Sequence, residues 1–354
     1  MYENCLFLKD GITCLTMGGK KKTNKKNQKF KKIFGILAIL LLIAAGAWYL
    51  YGKPQIVVDE YGITLEQTEP PLRNHKSGQE ASNPSLDEGH AENTPLLFGN
   101  PSDSISDTSA AKNYLMEKPQ FTISYNSETL NPNWVAWHLC RSDLGEADRA
   151  DTFRPDTELP AGWYAVRKND YKFTYYGFDR GHICPSADRT ANTEDNSMTF
   201  LMTNMVPQAP DNNRIVWVAL EKYEREVVLQ GKEAYIFAGP YGKGGTGDKG
   251  YFEEIPVSLK DGTELSIIVP SHTWKILLFL PEGEADFERV TSTDEVEVIA
   301  VCVPNEKGCG KNGSWQQYTC SINYIEEITG YDFFELLDDE IEEALESRVM
   351  ETIQ

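Results

Sequence analysis

The side chains with the clearest chemical potential lie in residues 175–226, which combine a histidine, several arginines, paired asparagines and acids. On the helix predicted there, Asn213, Trp217, Glu221 and Arg225 follow one another at intervals of four, so an α-helix would carry them on one face. A face with an amide oxygen, a carboxylate and a guanidinium is unsuited to a hydrophobic core. It is typical of a site that holds a hydrated hard cation beside a phosphate.

The elements that must position these groups are a strand, a loop and the helix. Gly177 and Gly181 flank the start of the loop, and we expect both to let the backbone turn sharply. Asp211 and Asn212 suit a helix cap. The helix itself is predicted over residues 212–230, because apolar side chains recur there at helical spacing.

Around this segment the chain alternates apolar and polar residues in short runs. Strands are predicted from Phe121 onward, within NPNWVAWHLCR, and then in EAYIFAGP (233–240), ELSIIVP (264–270), WKILLFL (274–280) and EVIAVCVP (297–304). A second helix is predicted in the acidic tail, from Asp332 to about Val349. These elements follow no regular crossover pattern, so the predicted class is α+β, with a mostly antiparallel central sheet flanked by helices in residues 119–349.

Several motifs occur together in the order of a known family. They are Asp179-Arg180-Gly181-His182, Thr203-Asn204-Met205-Val206-Pro207-Gln208, Asn212-Asn213, and Trp217 to Glu221, with Arg149-Ala150-Asp151-Thr152-Phe153-Arg154-Pro155-Asp156 upstream. In these motifs the chain resembles the DNA/RNA non-specific endonucleases of the ββα-metal superfamily. The resemblance covers roughly residues 121–346 and implies a magnesium-dependent phosphodiesterase, with Mn²⁺ as the alternative ion.

The resemblance also implies roles for individual residues. His182 would be the general base that takes a proton from the attacking water, and an unperturbed imidazole pKa near 6.5 suits that task. Asn213 would be the direct metal ligand, and Glu221 would hold a water of the hydrated ion. The ion would neutralise charge on the phosphate and on the departing 3′ oxygen, leaving 5′-phosphate products.

Further roles fall on charged residues around the phosphate. The family places arginines there that match Arg149, Arg180 and Arg225, whose planar forks can each pair with two phosphate oxygens. Asp179 is expected to orient these arginines rather than to bind metal. Asn204 matches a position that supports the active-site loop.

The amino-terminal region predicts a membrane anchor. Residues 33–52, IFGILAILLLIAAGAWYLYG, carry no charge and as a helix would measure about 30 Å, the thickness of the hydrocarbon core of a bilayer. Eight lysines precede this segment within residues 20–32, so residues 1–32 are predicted to be a cytosolic basic tail. Everything after residue 52 would then lie outside the cytosol, either in the periplasm or outside the cell. A cleaved signal peptide with its site at Ala45-Gly46-Ala47 is the alternative.

The charge distribution separates the parts of the chain. Residues 1–52 contain nine lysines and two acidic residues, a charge of +7, so a chain with a net charge of −20 carries −27 in the remainder. Residues 53–118 are rich in Pro, Ser, Asn and acids, which predicts an exposed linker, with a short strand at Ile56 to Val58 and a local turn at Leu96 to Phe98 left open. An acidic body predicts weak long-range attraction of nucleic acid.

The sequence therefore predicts a membrane-anchored endonuclease of low sequence preference that acts on DNA and RNA. One alternative is a non-catalytic module that binds nucleic acid or protein through the same fold. Another is a phosphodiesterase for a different phosphodiester substrate. Protein partners are not indicated, and a homodimer is kept open.

Overall fold

The computed structural model describes residues 55–59, 62–66, 93–290, 296–311 and 314–350. The predicted basic tail, the membrane anchor and most of the linker lie outside these residues. Within the described part of the chain, no helix is both long and apolar enough to cross a bilayer. The chain divides into two units, 1–87 and 88–354. In the first, strand β1 (Gln55–Asp59) pairs antiparallel with β2 (Gly62–Glu66), so the short strand left open by the sequence is present.

The second unit is built on a seven-stranded antiparallel sheet. Its strands are β3 (Tyr114–Lys118), β4 (Phe121–Asn126), β5 (Asn131–Leu139), β8 (Lys232–Tyr241), β13 (His272–Pro281), β14 (Glu297–Pro304) and β15 (Thr319–Cys320), in the order β15-β14-β13-β8-β5-β4-β3. The long strands β5, β8 and β13 lie next to one another and are almost completely buried. Residues 93–118, which the sequence assigned to the linker, contribute β3 and the buried side chains of Leu97 and Phe98.

Two further strands and a helix form a compact ββα unit against one face of the sheet. Strand β6 (Asp179–His182) pairs antiparallel with β7 (Met205–Gln208). A π-helical segment (Asn212–Trp217) then leads into helix α3 (Val218–Leu229). Short helices α1 (Phe173–Tyr176) and α2 (Thr193–Met198) flank this unit. Gly177 has a φ of +71° and ends α1, as predicted for a turn.

Gly181 serves a different purpose from the turn that we expected. It lies inside β6, opposite Val206, with an ordinary backbone conformation. A Cβ at this position would lie 2.1 Å from Oε1 of Gln208. The glycine is therefore required by the close approach of the Gln208 side chain to the strand.

The opposite face of the sheet is covered by the carboxyl-terminal helices, α5 (Ile322–Thr329) and α6 (Asp339–Glu346). The Ser321 hydroxyl accepts a hydrogen bond from the Tyr324 amide and caps α5, and Gly330 ends it in the left-handed conformation. The predicted tail helix is shorter than expected, because Phe333 and Phe334 are buried against the sheet and Phe334 has a φ of +60°.

Two small strand pairs and a short helix lie outside these layers. Strands β9 (Gly245–Gly247) and β10 (Gly250–Phe252) form a hairpin, and β11 (Glu254–Ser258) pairs with β12 (Glu264–Ile268). Helix α4 (Asp286–Arg289) follows β13. An α+β architecture around an antiparallel sheet, as predicted, is confirmed for the described residues.

Candidate active site

The first half of the site is the imidazole at the end of β6. The His182 ring packs edge-on against Phe200, with centroids 4.8 Å apart, and against Phe153 at 5.7 Å. The residue is 8% exposed, and its Nε2 is buried without a hydrogen-bond partner among the described residues. Burial, followed by the positive charges of Arg149 and Arg180, lowers the pKa of His182 to about 3. The ring is therefore neutral at pH 7, as a proton acceptor must be.

The second half is an amide on the π-helical segment. Nδ2 of Asn213 donates a hydrogen bond to Oδ2 of Asp179 at 3.0 Å. Arg214 binds the same carboxylate with two nitrogens, Nε to Oδ2 at 2.8 Å and Nη2 to Oδ1 at 2.6 Å. Because the nitrogen of the Asn213 amide is committed to Asp179, its carbonyl oxygen is the group left for a cation.

The π-helical segment changes how this helix presents its side chains. In an α-helix, Glu221 would lie about 80° around the axis from Asn213, since eight residues exceed two turns by about 0.8 residue. Between Asn213 and Val218, however, the carbonyl of the first accepts the amide of the second, an i to i+5 bond. This wider turn takes up nearly one extra residue and brings Glu221 close to the line of Asn213. Trp217, predicted for the same face, instead is fully buried in the core.

Glu221 is buried, at 9% exposure, and its carboxylate forms no hydrogen bond or ion pair with another residue in the described part of the chain. Burial raises the pKa of its carboxyl group to about 7, although the nearby cations of Lys275, Arg225 and Arg149 act in the opposite direction. Arg149 thus acts electrostatically on both His182 and Glu221. Arg149 therefore lies near both His182 and Glu221.

The predicted arginines are held in three different ways. Arg149 donates from Nη1 to the Ser186 hydroxyl at 2.8 Å and from Nε to Asp151 at 2.9 Å, with its guanidinium 4.9 Å from the Phe200 ring. Arg180 stacks on Phe153 at 4.5 Å.

Arg225 is held by the carboxylate of Asp188. Its Nη1 contacts Oδ1 of Asp188 at 2.7 Å, and Oδ2 of Asp188 accepts a hydrogen bond from Nε1 of Trp137 at 3.0 Å. Asp179, expected to orient Arg149, Arg180 and Arg225, forms its ion pair with Arg214 instead.

Asn204 supports the loop without reaching the cavity. It is fully buried, its Oδ1 accepts the Cys184 amide at 2.9 Å, and its Nδ2 donates to the carbonyls of Cys184 at 2.8 Å and Thr199 at 2.9 Å. These bonds hold the chain immediately after His182. A positioning role, as the resemblance implied, agrees with these contacts.

Three features of the site were not predicted from the sequence, namely Arg214, Asp188 and a buried ion pair between α3 and β13. In that pair, Nζ of Lys275 lies 2.9 Å from Oε2 of Glu224, and neither side chain is exposed. The ammonium also lies 5.0 Å from the Trp217 ring and 5.2 Å from the Trp137 ring. Only the position of Arg214, next to Asn213, was a signal that sequence reasoning could have used.

The donor set fits a hydrated hard cation. A neutral amide oxygen with a fixed orientation and a carboxylate able to accept from water are the groups that Mg²⁺ or Mn²⁺ binds while keeping most of its own water. The bidentate Asp179–Arg214 pair and the hydrogen bond to Asn213 hold the amide in place, as outer contacts commonly do around metal ligands. Asn213 would bind the ion directly, and Glu221 would bind through water.

The chain is similar to known nucleases. The family model for the DNA/RNA non-specific endonucleases matches residues 99–340. A protein named Nuclease from Nostoc sp. (strain PCC 7120 / SAG 25.82 / UTEX 2576) is 46% identical over 254 residues, which cover 72% of this chain and 85% of that protein. The mitochondrial Nuclease EXOG of Mus musculus is 30% identical over 227 residues, covering 61% of this chain, and the chain spans only 55% of that protein.

The fold is similar to that of a solved structure as well. A chain in the crystal structure of the EndoG/EndoGI complex matches with a TM-score of 0.52 and 19% identity, over 70% of this chain and 94% of that chain. At that identity the similarity concerns the fold alone. Together with the matched motifs and the ββα unit that carries them, the family match shows that the chain belongs to the DNA/RNA non-specific endonuclease family of metal-dependent nucleases.

Proposed function

We propose that the protein hydrolyses phosphodiester bonds of DNA and RNA with Mg²⁺ as the resident ion, and leaves 5′-phosphate ends. The observation that supports this proposal best is the fixed amide of Asn213, whose oxygen is available to a cation within the ββα unit that also carries His182 and Glu221. The bound ion would supply charge neutralisation at the phosphate and at the departing 3′ oxygen.

Side chains of the protein carry out the proton transfer and bind the phosphate. His182 takes the proton of the attacking water, and Nδ1 is the nitrogen assigned to receive it because Nε2 is buried. A pKa of about 3 describes the protein without substrate, in which Arg149 and Arg180 repel a proton from the ring. A phosphate bound between these arginines offsets their charge, so the pKa of His182 rises when substrate binds and the imidazole becomes a better base.

The arginines bind and orient the phosphate. Arg149 and Arg180 lie on the His182 side and are held against the rings of Phe200 and Phe153. Arg225 lies on the helix side, fixed by Asp188. Contacts of this kind read the phosphate and not the base, which supports low sequence preference.

The test is a cleavage assay on the chain from Lys53 onward. Plasmid DNA and an RNA of mixed sequence are incubated with Mg²⁺, with Mn²⁺ or with EDTA, beside His182→Ala and Asn213→Ala. Asn169→Ala, at an exposed position, is the matched control. We expect both substrates to be cut in the parent and in the control, with loss in EDTA and in both site variants. Ligation of the products without prior phosphorylation tests the 5′-phosphate.

Two results would favour other functions. Binding of nucleic acid without cleavage under any ion would favour the non-catalytic module. Hydrolysis of a small phosphodiester but of neither polymer would favour a phosphodiesterase of another class. Cleavage that persists in Asn213→Ala would refute the assignment of this residue to the metal.

We further propose that residues 33–52 anchor the enzyme in a membrane, with residues 1–32 in the cytosol and the nuclease unit outside it. The uncharged length of the segment and the lysines before it support this topology. Membrane fractionation of the full chain, with added protease on intact and opened cells, tests it. Release of the nuclease unit into the soluble fraction would favour the cleaved signal peptide. Light scattering on the chain from Lys53 onward tests the homodimer.

A further inference from the structure

A group of cations stacked on aromatic rings lies along one side of the candidate site. Nζ of Lys168 is 5.7 Å from the centroid of the Phe153 ring, and the Arg180 guanidinium is 4.5 Å from the same ring. The Arg214 guanidinium lies 5.2 Å from the Phe173 ring. We call these five residues, Phe153, Lys168, Phe173, Arg180 and Arg214, the cation–aromatic rim.

The rim contacts both halves of the site. Its Phe153 ring packs edge-on against His182, so the Lys168 ammonium lies within about 11 Å of the imidazole. Nη1 of Arg180 donates to the Lys168 carbonyl at 3.3 Å, which connects the lysine to the strand that carries His182. At the other end, Arg214 follows Asn213 in the chain and shares the carboxylate of Asp179 with it.

The charge of the rim contrasts with that of the rest of the protein. Lys168 and Arg180 form no ion pair with any residue that the structure describes, and Lys168 is exposed. The chain beyond residue 52 nevertheless carries a charge of −27. Stacking on a ring restricts a long cationic side chain while its N–H groups stay available to an anion. Free positive charge is therefore concentrated beside the site, where an acidic body would otherwise repel a polyanion.

We propose that Lys168, the exposed cation of the cation–aromatic rim, binds a phosphate of the substrate strand next to the one that is cleaved, which Arg180 of the rim contacts. This inference rests on the proposed function and adds a second phosphate contact, which a strand of several nucleotides can make and an isolated diester cannot. At about 3.4 Å of helix axis per nucleotide, a distance of about 11 Å places the Lys168 contact within about three nucleotides of the scissile phosphate. Lys168 touches only the remote phosphate and leaves the reacting atoms to the residues described above.

The test compares a variant that lacks one positive charge of the rim with a variant that lacks one positive charge elsewhere on the protein. Lys168→Gln and the control Lys112→Gln are each made in the His182→Ala protein, so that bound substrate stays intact. Lys112 is exposed, and its ammonium pairs with the Glu128 carboxylate at 3.1 Å. Binding of a short single-stranded DNA is measured by fluorescence anisotropy over a tenfold range of salt. We expect Lys168→Gln to reduce the slope of log K against log salt by about 0.7, while the control changes it little.

A second measurement separates binding of the strand from chemistry. With His182 intact, Lys168→Gln should slow cleavage of an oligonucleotide several-fold and leave cleavage of thymidine 5′-(p-nitrophenyl phosphate), which offers one phosphodiester, unchanged. Equal slopes of log K against log salt for Lys168→Gln and Lys112→Gln would refute the proposed phosphate contact of Lys168 and leave the proposed function unaffected. An equal loss on both substrates would also overturn it, because Lys168 would then act on the reacting phosphate. Absence of binding and of cleavage by the parent protein would overturn both proposals.

Discussion

Replacement of Glu221 by Gln should make the metal-free protein more stable and inactive at the same time. The carboxyl group is buried, and burial raises its pKa from 4.5 to about 7. A folded-state pKa above the unfolded value means that the folded protein holds the proton more tightly. Below about pH 4.5 the group is protonated in both states and does not change the free energy of unfolding with pH. Between about pH 4.5 and 7 the unfolded chain releases this proton while the folded protein still holds it, so the free energy of unfolding falls as the pH rises through this range.

The size of the effect follows from the two pKa values. The difference between 4.5 and about 7 corresponds, at about 1.4 kcal/mol per pH unit, to about 3 kcal/mol of unfolding free energy above pH 7. Glutamine has nearly the same shape and carries no charge at any pH. The variant Glu221→Gln should therefore be more stable than the parent by about 3 kcal/mol near pH 8, and about equal to it near pH 4.

Urea unfolding in EDTA, followed by tryptophan fluorescence at several pH values, measures this difference. Glu226→Gln is the control, because Glu226 lies exposed on the same helix and its replacement should change stability little at any pH. The same preparations are assayed for cleavage with Mg²⁺, where Glu221→Gln should be inactive and Glu226→Gln active. The reasoning fails if Glu221→Gln is less stable than the parent near pH 8, or if the difference between them does not grow with pH.

Three further changes give distinct outcomes. Lys275→Met should lower the free energy of unfolding by about 3–5 kcal/mol, because it leaves the Glu224 carboxylate buried without its partner, and adding Glu224→Gln should restore most of this loss. Urea unfolding of both variants measures the two values, and a double variant as unstable as Lys275→Met would contradict this explanation. Asp179→Asn should weaken Mn²⁺ binding about 10- to 100-fold in calorimetry, because the Asn213 amide loses its charged hydrogen-bond acceptor. An unchanged affinity would mean that the Asn213 amide does not need the Asp179 carboxylate to bind the ion. Asn204→Ala should lower the unfolding free energy by about 2–3 kcal/mol or more, since it strands buried backbone groups, and a shift within error in thermal unfolding would count against this.

The parts of the site that are continuous in sequence could be predicted. The helix after residue 211 and most strands of the sheet follow from local patterns, and the DRGH motif follows from the resemblance, although its residues were expected in a loop and form β6. The strand at Tyr114 to Lys118 could not, because its composition resembles the polar segment before it while its stability comes from pairing with β4.

Interactions between distant residues explain most of what was missed. Glu224 and Lys275 are 51 positions apart, and nothing in the local sequence of either indicates that two strands and a helix will bury them together. The shortened tail helix has a similar cause, since the burial of Phe333 and Phe334 outweighs the helical preference of the acidic residues around them. The candidate site residues were predicted from linked motifs that contain particular side chains, whereas no side-chain pattern in the sequence indicated the π-helical segment.

The π-helical segment also bears on how this stretch of chain tolerates a change of length. Loss of a single codon between Asn213 and Trp217 would let the backbone relax into regular α-helix, which is intrinsically the commoner state. Glu221 would then follow Asn213 by seven residues, about 20° short of two full turns, so both oxygen donors would stay on one line of the helix. A homologue that is one residue shorter here can therefore keep the pair, whereas a chain of the present length in regular α-helix would set the two side chains about 80° apart. The i to i+5 bond, and not the number of residues alone, keeps these donors together in this protein.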